Sequence, residues 1–264
     1  MSAKKSVFDF KRIVVKVGSA VLTQDGTIAL ERMQALVDFL ALLKKKYEVI
    51  LVSSGAVAGG YTKLKLDRKI IKNKQALAAI GQPILLNKYD KKFSKYNIII
   101  SQVLVTAANL NKDDDIQRVK NTIDTLLENG VIPIVNENDA TATDELELGD
   151  NDQLSAYIAK NTCADMLVIL SDIDAYYESD PRVNKDAKVL KIVHEIDEEE
   201  LNKDVTPNNI FATGGIVTKL KAASYLLESN IDLFLASGFD LRDVKSYLID
   251  SKHNGGTLFT NKAN

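Results

Sequence analysis

The chain has 264 residues, 45% of them hydrophobic, and its 34 basic and 36 acidic residues give a formal net charge of −2. This near balance gives no reason to expect a nucleic-acid groove or an anionic membrane surface as a partner. The single cysteine, Cys163, cannot form an internal disulfide, which favours a reducing compartment. The amino terminus lacks the apolar stretch of a signal peptide, and no run reaches the ~18 apolar residues of a membrane span. We therefore expect a cytoplasmic protein whose apolar residues suffice for one sizeable core or two small ones.

Continuous apolar and β-branched runs recur along the chain and predict strands covered on both faces. In chain order these runs are 12–17, 48–52, 98–105, 131–135, 166–170 and 231–236. Apolar residues recur with a helical period over 28–43 and 113–129, and Gly130 follows the second period as a C-cap. This alternation predicts an α/β sandwich with a largely parallel central sheet. We expect a single domain over 1–264, with two lobes that meet near residue 165.

The first run, RIVVKV, has a lysine at its fifth position. Lysine is rarely buried unless another group pairs with it. Lys16 could extend from the end of the strand into solvent, and for a lysine considered alone this is the more common case. The alternative is a cation directed at a phosphate chain. A second lysine, Lys219, lies one turn into a helix that a glycine-rich stretch opens, so two cations could flank one transferring phosphoryl group.

The segments that follow the predicted strands are rich in small, hydroxylic and acidic residues. Ligands bind at the carboxyl ends of the strands in parallel sheets. The segments are SSGAVAGG at 53–60, NENDATATDELELGDNDQ at 136–153, SDIDAYYESDPR at 171–182 and ATGGIVTK at 212–219. Glycine-rich pieces let backbone N–H groups approach phosphate oxygens, yet each piece alone could equally be a tight turn. Neither 53–60 nor 212–219 has the spacing of a P-loop or of G-x-G-x-x-G.

The acidic residues of 136–153 could simply form a solvated surface. They are Asp139, Asp144, Glu145, Glu147, Asp150 and Asp152. The spacing of a calcium loop is absent. NEND and DND mix amide donors with carboxylates, which predicts a site for a zwitterion carrying an ammonium and carboxylates. His194 and His253 lack metal-ligand partners at useful spacing, and Cys163 is expected to be a small core residue.

Eight segments resemble the amino acid kinase family, and within it the members that phosphorylate glutamate. They span about 12–259 in the family's order: VVKVGSAVLT, VSSGAVAGG, AAIGQPILL, VIPIVNENDATAT, LGDNDQLSA, LSDIDAYYESDPR, ATGGIVTKLKAA and GGTLF. The resemblance implies the three-layer α/β/α fold of that family. It also implies ATP-dependent phosphorylation of the γ-carboxylate of L-glutamate to L-glutamyl 5-phosphate, the first step of proline synthesis. Mg²⁺ accompanying ATP, feedback inhibition by L-proline and a homo-oligomer are further expectations.

The same resemblance assigns roles to residues of this sequence. Lys16 and Lys219 would stabilise the transferring phosphoryl group, and Asp152 would orient both lysines. The residues implied in glutamate binding are Ser54, Gly55, Asn136, Asp139, Asp150 and Asn151. Those implied in ATP binding are Lys16, Ser171, Asp172, Thr213, Gly214, Gly215, Ile216, Val217, Thr218 and Lys219. No protein ligand of magnesium is implied.

The sequence departs from the family pattern on the nucleotide side. Ala212 and Ile216 occupy the first and last places of a loop that usually reads G-T-G-G-M, and Ala175-Tyr176 replaces a usual Gly-Leu. These changes leave the nucleotide preference open. The chain ends soon after GGTLF, so the C-terminal PUA domain of many bacterial members is expected to be missing. Two alternatives stay open: a kinase of this fold acting on another small carboxylate or carbamate, and a non-catalytic nucleotide-binding sensor.

Overall fold

The computed structural model of the protein describes residues 10–110, 112–141, 151–202 and 215–262. Its strands are β1 (Arg12–Val17), β2 (Thr23–Gln24), β3 (Thr27–Ile28), β4 (Glu48–Ser53), β5 (Ile100–Val105), β6 (Ile132–Glu137), β7 (Met166–Ser171), β8 (Ile192–Val193), β9 (Asp232–Ser237) and β10 (Thr257–Phe259). Eight of them form one sheet in the order β5-β6-β4-β1-β7-β9-β10-β8, and β2 and β3 form a separate hairpin. The six predicted strands are confirmed. The short strands β2, β3, β8 and β10 are additions.

Strand β1 lies at the centre of the sheet. It pairs in parallel with β4 on one side and with β7 on the other, so that Lys16 is in register with Val52 and Ile169. Among the strand pairs that the described residues form in the large sheet, only β9 and β10 run antiparallel. The carboxyl ends of β1, β4, β6 and β7 therefore share one edge, where ligands bind in such sheets.

Helices cover both faces of this sheet. They are α1 (Ser19–Leu22), α2 (Leu30–Leu43), α3 (Ala56–Tyr61), α4 (Ile71–Phe93), α5 (Asp113–Glu128), α6 (Asn151–Asn161), α7 (Glu198–Leu201), α8 (Ile216–Leu227) and α9 (Arg242–Asp250). Buried residues of α2, α4 and α9 pack on Ile13 and Val15 of β1, and those of α5, α6 and α8 pack with Val14. Since side chains alternate along a strand, Lys16 lies on the α6–α8 side with Val14. The predicted three-layer α/β/α sandwich is confirmed.

The two helices with a clear apolar period, α2 and α5, match the predictions within two residues. Gly130, at φ +72°, follows α5 and donates its N–H to the Leu127 carbonyl, as a C-cap does. The prediction for Cys163 is wrong: this residue is exposed, because it takes the left-handed position (φ +54°) of the turn between α6 and β7. The lobe boundary near 165 falls in this same turn and stays a prediction. Within the described ranges, no helix combines the length and the apolar composition needed to traverse a membrane.

Helices α3 and α4 touch through their backbones. A Cβ atom on Gly81 of α4 would lie 1.7 Å from the Ala56 carbonyl oxygen, and one on Gly60 of α3 would lie 1.9 Å from the Leu77 carbonyl oxygen. Any larger residue at either position would force the two helices apart. This contact fixes where the residue after Gly81 meets the sheet.

Candidate active site

Three buried charged side chains meet on the α6–α8 face of the sheet. The Lys16 ammonium of β1 lies 2.5 Å from Asp152 Oδ1, and the Lys219 ammonium of α8 lies 3.1 Å from Asp152 Oδ2. The exposed fractions are 5% for Lys16, 3% for Lys219 and zero for Asp152. We refer to Lys16, Asp152 and Lys219 as the charged cluster. Its two cations face one anion, so the cluster keeps one net positive charge in a buried setting.

Asp152 is ionised in this cluster. Burial alone would raise the pKa of its carboxyl group, but Coulombic attraction to Lys16 and Lys219 and hydrogen bonds from Lys16 and Thr218 outweigh burial and hold the pKa well below its usual range. The Thr218 hydroxyl donates to Asp152 Oδ2 at 2.8 Å. Both carboxylate oxygens are thus occupied by donors of the protein.

The starts of two helices place the members of the charged cluster. Asp152 lies in the first turn of α6, where the positive end of the helix dipole favours a carboxylate. Helix α8 begins after Gly215, and Lys219 reaches back over that turn to the Gly215 carbonyl oxygen at 3.3 Å. The start of α8 thus brings Lys219 to Asp152, next to Lys16 of β1.

Four polar side chains form a chain of hydrogen bonds beside the charged cluster. Asn136 Nδ2, at the end of β6, donates to Gln82 Oε1 of α4 at 3.0 Å. Asn151 Nδ2 donates to Asn136 Oδ1 at 3.0 Å and to Ser54 Oγ at 2.7 Å. We call Gln82, Asn136, Asn151 and Ser54 the amide relay. Three of its members were predicted as substrate residues, and the structure brings them together.

The ends of β4 and β6 carry the other predicted substrate residues. Gly55 follows Ser54 at φ +109°, a conformation that favours glycine, and starts helix α3. Asp139 lies in the turn after β6 and, with Gln82, lines a cleft of about 190 Å³. Buried Ser53 shares a 2.8 Å hydrogen bond with buried Tyr89 of α4, which anchors the strand end next to Ser54. Asp150 lies outside the described residues.

Of the residues predicted to bind the nucleotide, the described ones outside the charged cluster lie at the end of β7 and around the start of α8. Ser171 ends β7, and its hydroxyl donates to Asp172 Oδ1 at 3.0 Å. Gly215 precedes α8. The first four residues of α8 are Ile216, Val217, Thr218 and Lys219. Val217 is buried, so only its backbone could face a nucleotide. Thr213 and Gly214 lie outside the described residues.

Sequence reasoning missed Gln82 and the contact of Thr218 with Asp152. Gln82 is only 8% exposed and lies in the middle of a helix, away from the strand ends that direct attention to a ligand site. The one sequence signal was its place after Gly81 in AAIGQPILL.

In the part of the chain that the structure describes, no three His, Cys, Asp or Glu side chains form a group that could hold a metal ion.

Comparison with known sequences places this geometry in context. The profile of the amino acid kinase family matches residues 11–237. A glutamate 5-kinase of Leishmania donovani is 50% identical, over 94% of this chain and 95% of its own length. The glutamate 5-kinase of Wolinella succinogenes is 49% identical, over 94% and 97% of the two chains. Glutamate 5-kinase 2 of Bacillus subtilis is 43% identical over 93% of this chain, which spans 67% of that relative.

Comparison with solved structures gives the same fold. The isopentenyl phosphate kinase of T. acidophilum matches with a TM-score of 0.66 and 18% identity, over 94% of this chain and 100% of that one. The UMP kinase of Ureaplasma parvum matches with a TM-score of 0.63 and 18% identity, over 95% and 99% of the two chains. Both are kinases of phosphorylated acceptors, and at these identities the likeness extends to the architecture only.

Proposed function

Since this chain belongs to the amino acid kinase family, we propose that it transfers the γ-phosphoryl group of ATP to the γ-carboxylate of L-glutamate. The product is L-glutamyl 5-phosphate, and the reaction opens proline synthesis. Curated relatives at 50% and 49% identity that are named glutamate 5-kinases support this choice of acceptor. ATP as the donor is in keeping with kinase relatives.

One observation carries the proposal: the charged cluster and the amide relay meet at two consecutive residues. Asn151 belongs to the relay and Asp152 to the cluster, and both stand at the start of α6. A substrate held by the amide relay therefore has its far end next to the two lysine ammonium groups. This is the arrangement that transfer between a bound acceptor and a bound phosphate donor requires.

The residues can perform this transfer without a general base. A carboxylate is already ionised at neutral pH, so the attacking oxygen needs no proton removed. The barrier is the approach of two anions, which Lys16 and Lys219 offset because they carry more positive charge than Asp152 neutralises. Asp152 keeps both ammonium groups oriented towards the gap between acceptor and donor.

Magnesium enters with ATP in this account. Both oxygens of Asp152 accept hydrogen bonds from lysine or threonine, so this carboxylate is not a suitable ligand for the ion. Mg²⁺ commonly binds through substrate phosphates with few protein carboxylates, and when bound it neutralises phosphate charge. Asp172 beside Ser171 is a carboxylate on the nucleotide side. A cytoplasmic location and a homo-oligomer belong to the same proposal.

A coupled assay of ADP release with purified protein tests the proposed function. L-Glutamate is compared with aspartate, acetylglutamate and carbamate, and the acyl phosphate is trapped with hydroxylamine as the hydroxamate. We expect ADP release that depends on glutamate and an equal amount of hydroxamate. Faster turnover of another acceptor would identify a different kinase of this fold. Nucleotide binding without ADP release for any acceptor would identify a sensor.

L-Proline is proposed as an inhibitor that competes with glutamate. Proline carries the same α-carboxylate and a secondary ammonium, so it can satisfy the same donors and acceptors as the main chain of glutamate. An inhibition series at several glutamate concentrations should show a raised KM and an unchanged kcat. Insensitivity to millimolar proline would contradict this part of the proposal.

A further inference from the structure

Gln82 is a buried polar residue to which the transfer mechanism gives no role. It lies in the middle of α4, and its Oε1 accepts a hydrogen bond from Asn136 Nδ2. Asn136 is only 2% exposed and also accepts from Asn151. Gln82 therefore stands at the end of the amide relay that is farthest from the charged cluster.

Because Gln82 presents its Oε1 to Asn136, the direction of every other hydrogen bond in the relay is determined. Asn136 turns its amide nitrogen towards Gln82 Oε1, so its oxygen must face Asn151. That oxygen and Ser54 Oγ take both hydrogens of Asn151 Nδ2. A ligand can then meet Asn151 only through Oδ1, an acceptor. Since Ser54 Oγ accepts from Asn151, its own hydrogen is the group it can donate to a ligand.

Reversal at one end would reverse the whole relay. If a donor faced Asn136 in place of Gln82 Oε1, Asn136 would turn its nitrogen towards Asn151. Asn151 would then use its Oδ1 inside the relay and would present Nδ2 to a ligand. An amide oxygen attracts an ammonium group, whereas an amide nitrogen repels it. The end residue thus decides whether the pocket accepts an ammonium at this point.

We propose that Gln82 is a positioning residue that sets the direction of the amide relay and thereby selects acceptors that carry an ammonium group. The inference rests on the proposed function for the identity of the acceptor, glutamate. The contact between α3 and α4 supports it, because Gly81 allows no larger residue and holds the next residue, Gln82, against the end of β6. The side chain acts through Asn136 and Asn151 rather than by touching the acceptor.

Calorimetric binding of two ligands tests the inference. L-Glutamate is compared with glutarate, the same diacid without the α-ammonium, and the ratio of the two Kd values is the readout. Gln82→Met keeps the length of the side chain and removes the acceptor. Gln82→Glu keeps an acceptor that can never donate. Asn87→Leu is the control, since Asn87 is an exposed amide on the same helix.

We expect the unmodified protein, Gln82→Glu and Asn87→Leu to prefer glutamate over glutarate. Gln82→Met should lose about 10- to 100-fold of that preference, the range for one hydrogen bond to a charged group, while glutarate binding changes little.

Three results would overturn the inference. They are a full preference in Gln82→Met, a loss in Gln82→Glu as large as in Gln82→Met, and no preference in the unmodified protein. Should Gln82→Met fail to fold in a thermal melt, Gln82→Leu, which also removes the acceptor, takes its place and is expected to lose the preference. Binding does not depend on phosphorylation. A protein that prefers glutamate but does not phosphorylate it would therefore refute the proposed function and leave the role of Gln82 standing.

Discussion

The charged cluster and the amide relay meet at the start of α6, yet they are held in different ways. The cluster joins Lys16, Asp152 and Lys219 through full charges in a buried setting. The relay joins neutral amides and a hydroxyl through hydrogen bonds, and what a ligand meets there depends on which atom donates and which accepts. A charged pair tolerates small changes of angle, whereas an amide that turns over exchanges a donor for an acceptor. We infer that the cluster serves turnover and the relay serves recognition.

The interactions of the charged cluster are also expected to be stronger than those of the amide relay. A hydrogen bond between neutral groups contributes roughly 0.5–1.5 kcal/mol, and one to a charged group roughly 1.5–3 kcal/mol. Removing one partner of a buried ion pair can cost about 3–5 kcal/mol, because a charge is left without compensation. Substitutions in the cluster should therefore change stability and turnover together, and those in the relay mainly the affinity for glutamate.

Asp152→Asn should have the largest effect. It leaves two buried ammonium groups without their anion, so we expect a loss of about 3–5 kcal/mol in the free energy of unfolding. Turnover should fall by roughly 10³-fold, since both lysines lose their orientation. Urea unfolding and the coupled assay measure the two effects.

Asp124→Asn is the matched control. Asp124 pairs with Arg12 at the amino end of β1, and loss of this carboxylate should cost about 1 kcal/mol and leave turnover unchanged. Equal effects of the two substitutions would contradict the special place of Asp152.

Lys16→Met should reduce turnover by roughly 10²-fold or more, the scale of one preorganised contact to a developing charge. Stability should change by only about 1–2 kcal/mol, because Lys219 and Asp152 remain as a balanced pair. ATP should also raise the Tm less than it does in the unmodified protein, since a weaker Kd gives less stabilisation. Thermal melts with and without Mg-ATP, together with kcat, provide the measurement. Lys11→Met, at an exposed lysine that precedes the strand, is the control. Near-normal turnover in Lys16→Met would show that this lysine is merely structural.

Asn151→Ala addresses the relay. The KM for glutamate should rise about 10- to 100-fold, which corresponds to the roughly 1.5–3 kcal/mol of a charge-assisted contact, while the KM for ATP changes little. Steady-state kinetics with each substrate varied in turn measure this split. Asn161→Ala, at the other end of α6, removes an amide that donates to the Tyr157 carbonyl and should leave both KM values unchanged. A similar rise in both KM values for Asn151→Ala would remove the assignment of this side to glutamate.

The charged cluster and the amide relay should also differ, by a smaller amount, in how the free energy of unfolding depends on pH. The folded pKa of Asp152 lies well below the usual 3.8, so below about pH 4 the unfolded chain binds a proton that the folded protein does not. The stability that Asp152 contributes is present above that pH and is lost as the pH falls towards the folded pKa. The free energy of unfolding of the unmodified protein should therefore fall faster on acidification than that of Asp152→Asn, by up to about 1.4 kcal/mol per pH unit. Parallel profiles from pH 5 to 3 would mean that Asp152 is not held ionised. The neutral relay predicts no such difference for Asn151→Ala.

Prediction from the sequence succeeded where a signal is sustained over several residues. The six long strands of the sheet are recognisable in the sequence as continuous apolar runs. Lys16 is recognisable as unusual because it is a charged residue within one of these runs. Strands β8 and β10 have two and three residues, too few for a pattern. Helix α4 was missed because Gly81 and Pro83, which usually end helices, lie inside it.

Prediction of the candidate site from the sequence was limited for the same reason. Motifs could identify Asp152, Asn136 and Asn151 as candidate site residues, since these residues follow strands or open helices. The contact between Asn136 and Gln82 joins residues that are 54 positions apart, and it depends on how closely α3 and α4 approach. The packing of backbone on backbone at Gly81 and Gly60 fixes that approach. Direction in the relay is therefore a tertiary property that no local pattern contains.

The most direct test of the division between the two regions compares Lys219→Met with Ser54→Ala. Calorimetry gives the Kd of glutamate, and a single turnover at saturating glutamate and Mg-ATP gives the rate of phosphoryl transfer. Lys219→Met should keep the Kd close to that of the unmodified protein and slow transfer by roughly 10²-fold. Ser54→Ala should weaken glutamate binding by about tenfold or more and leave transfer within a few-fold. If both variants instead lost the same quantity, whether affinity or rate, the charged cluster and the amide relay would not have separate tasks.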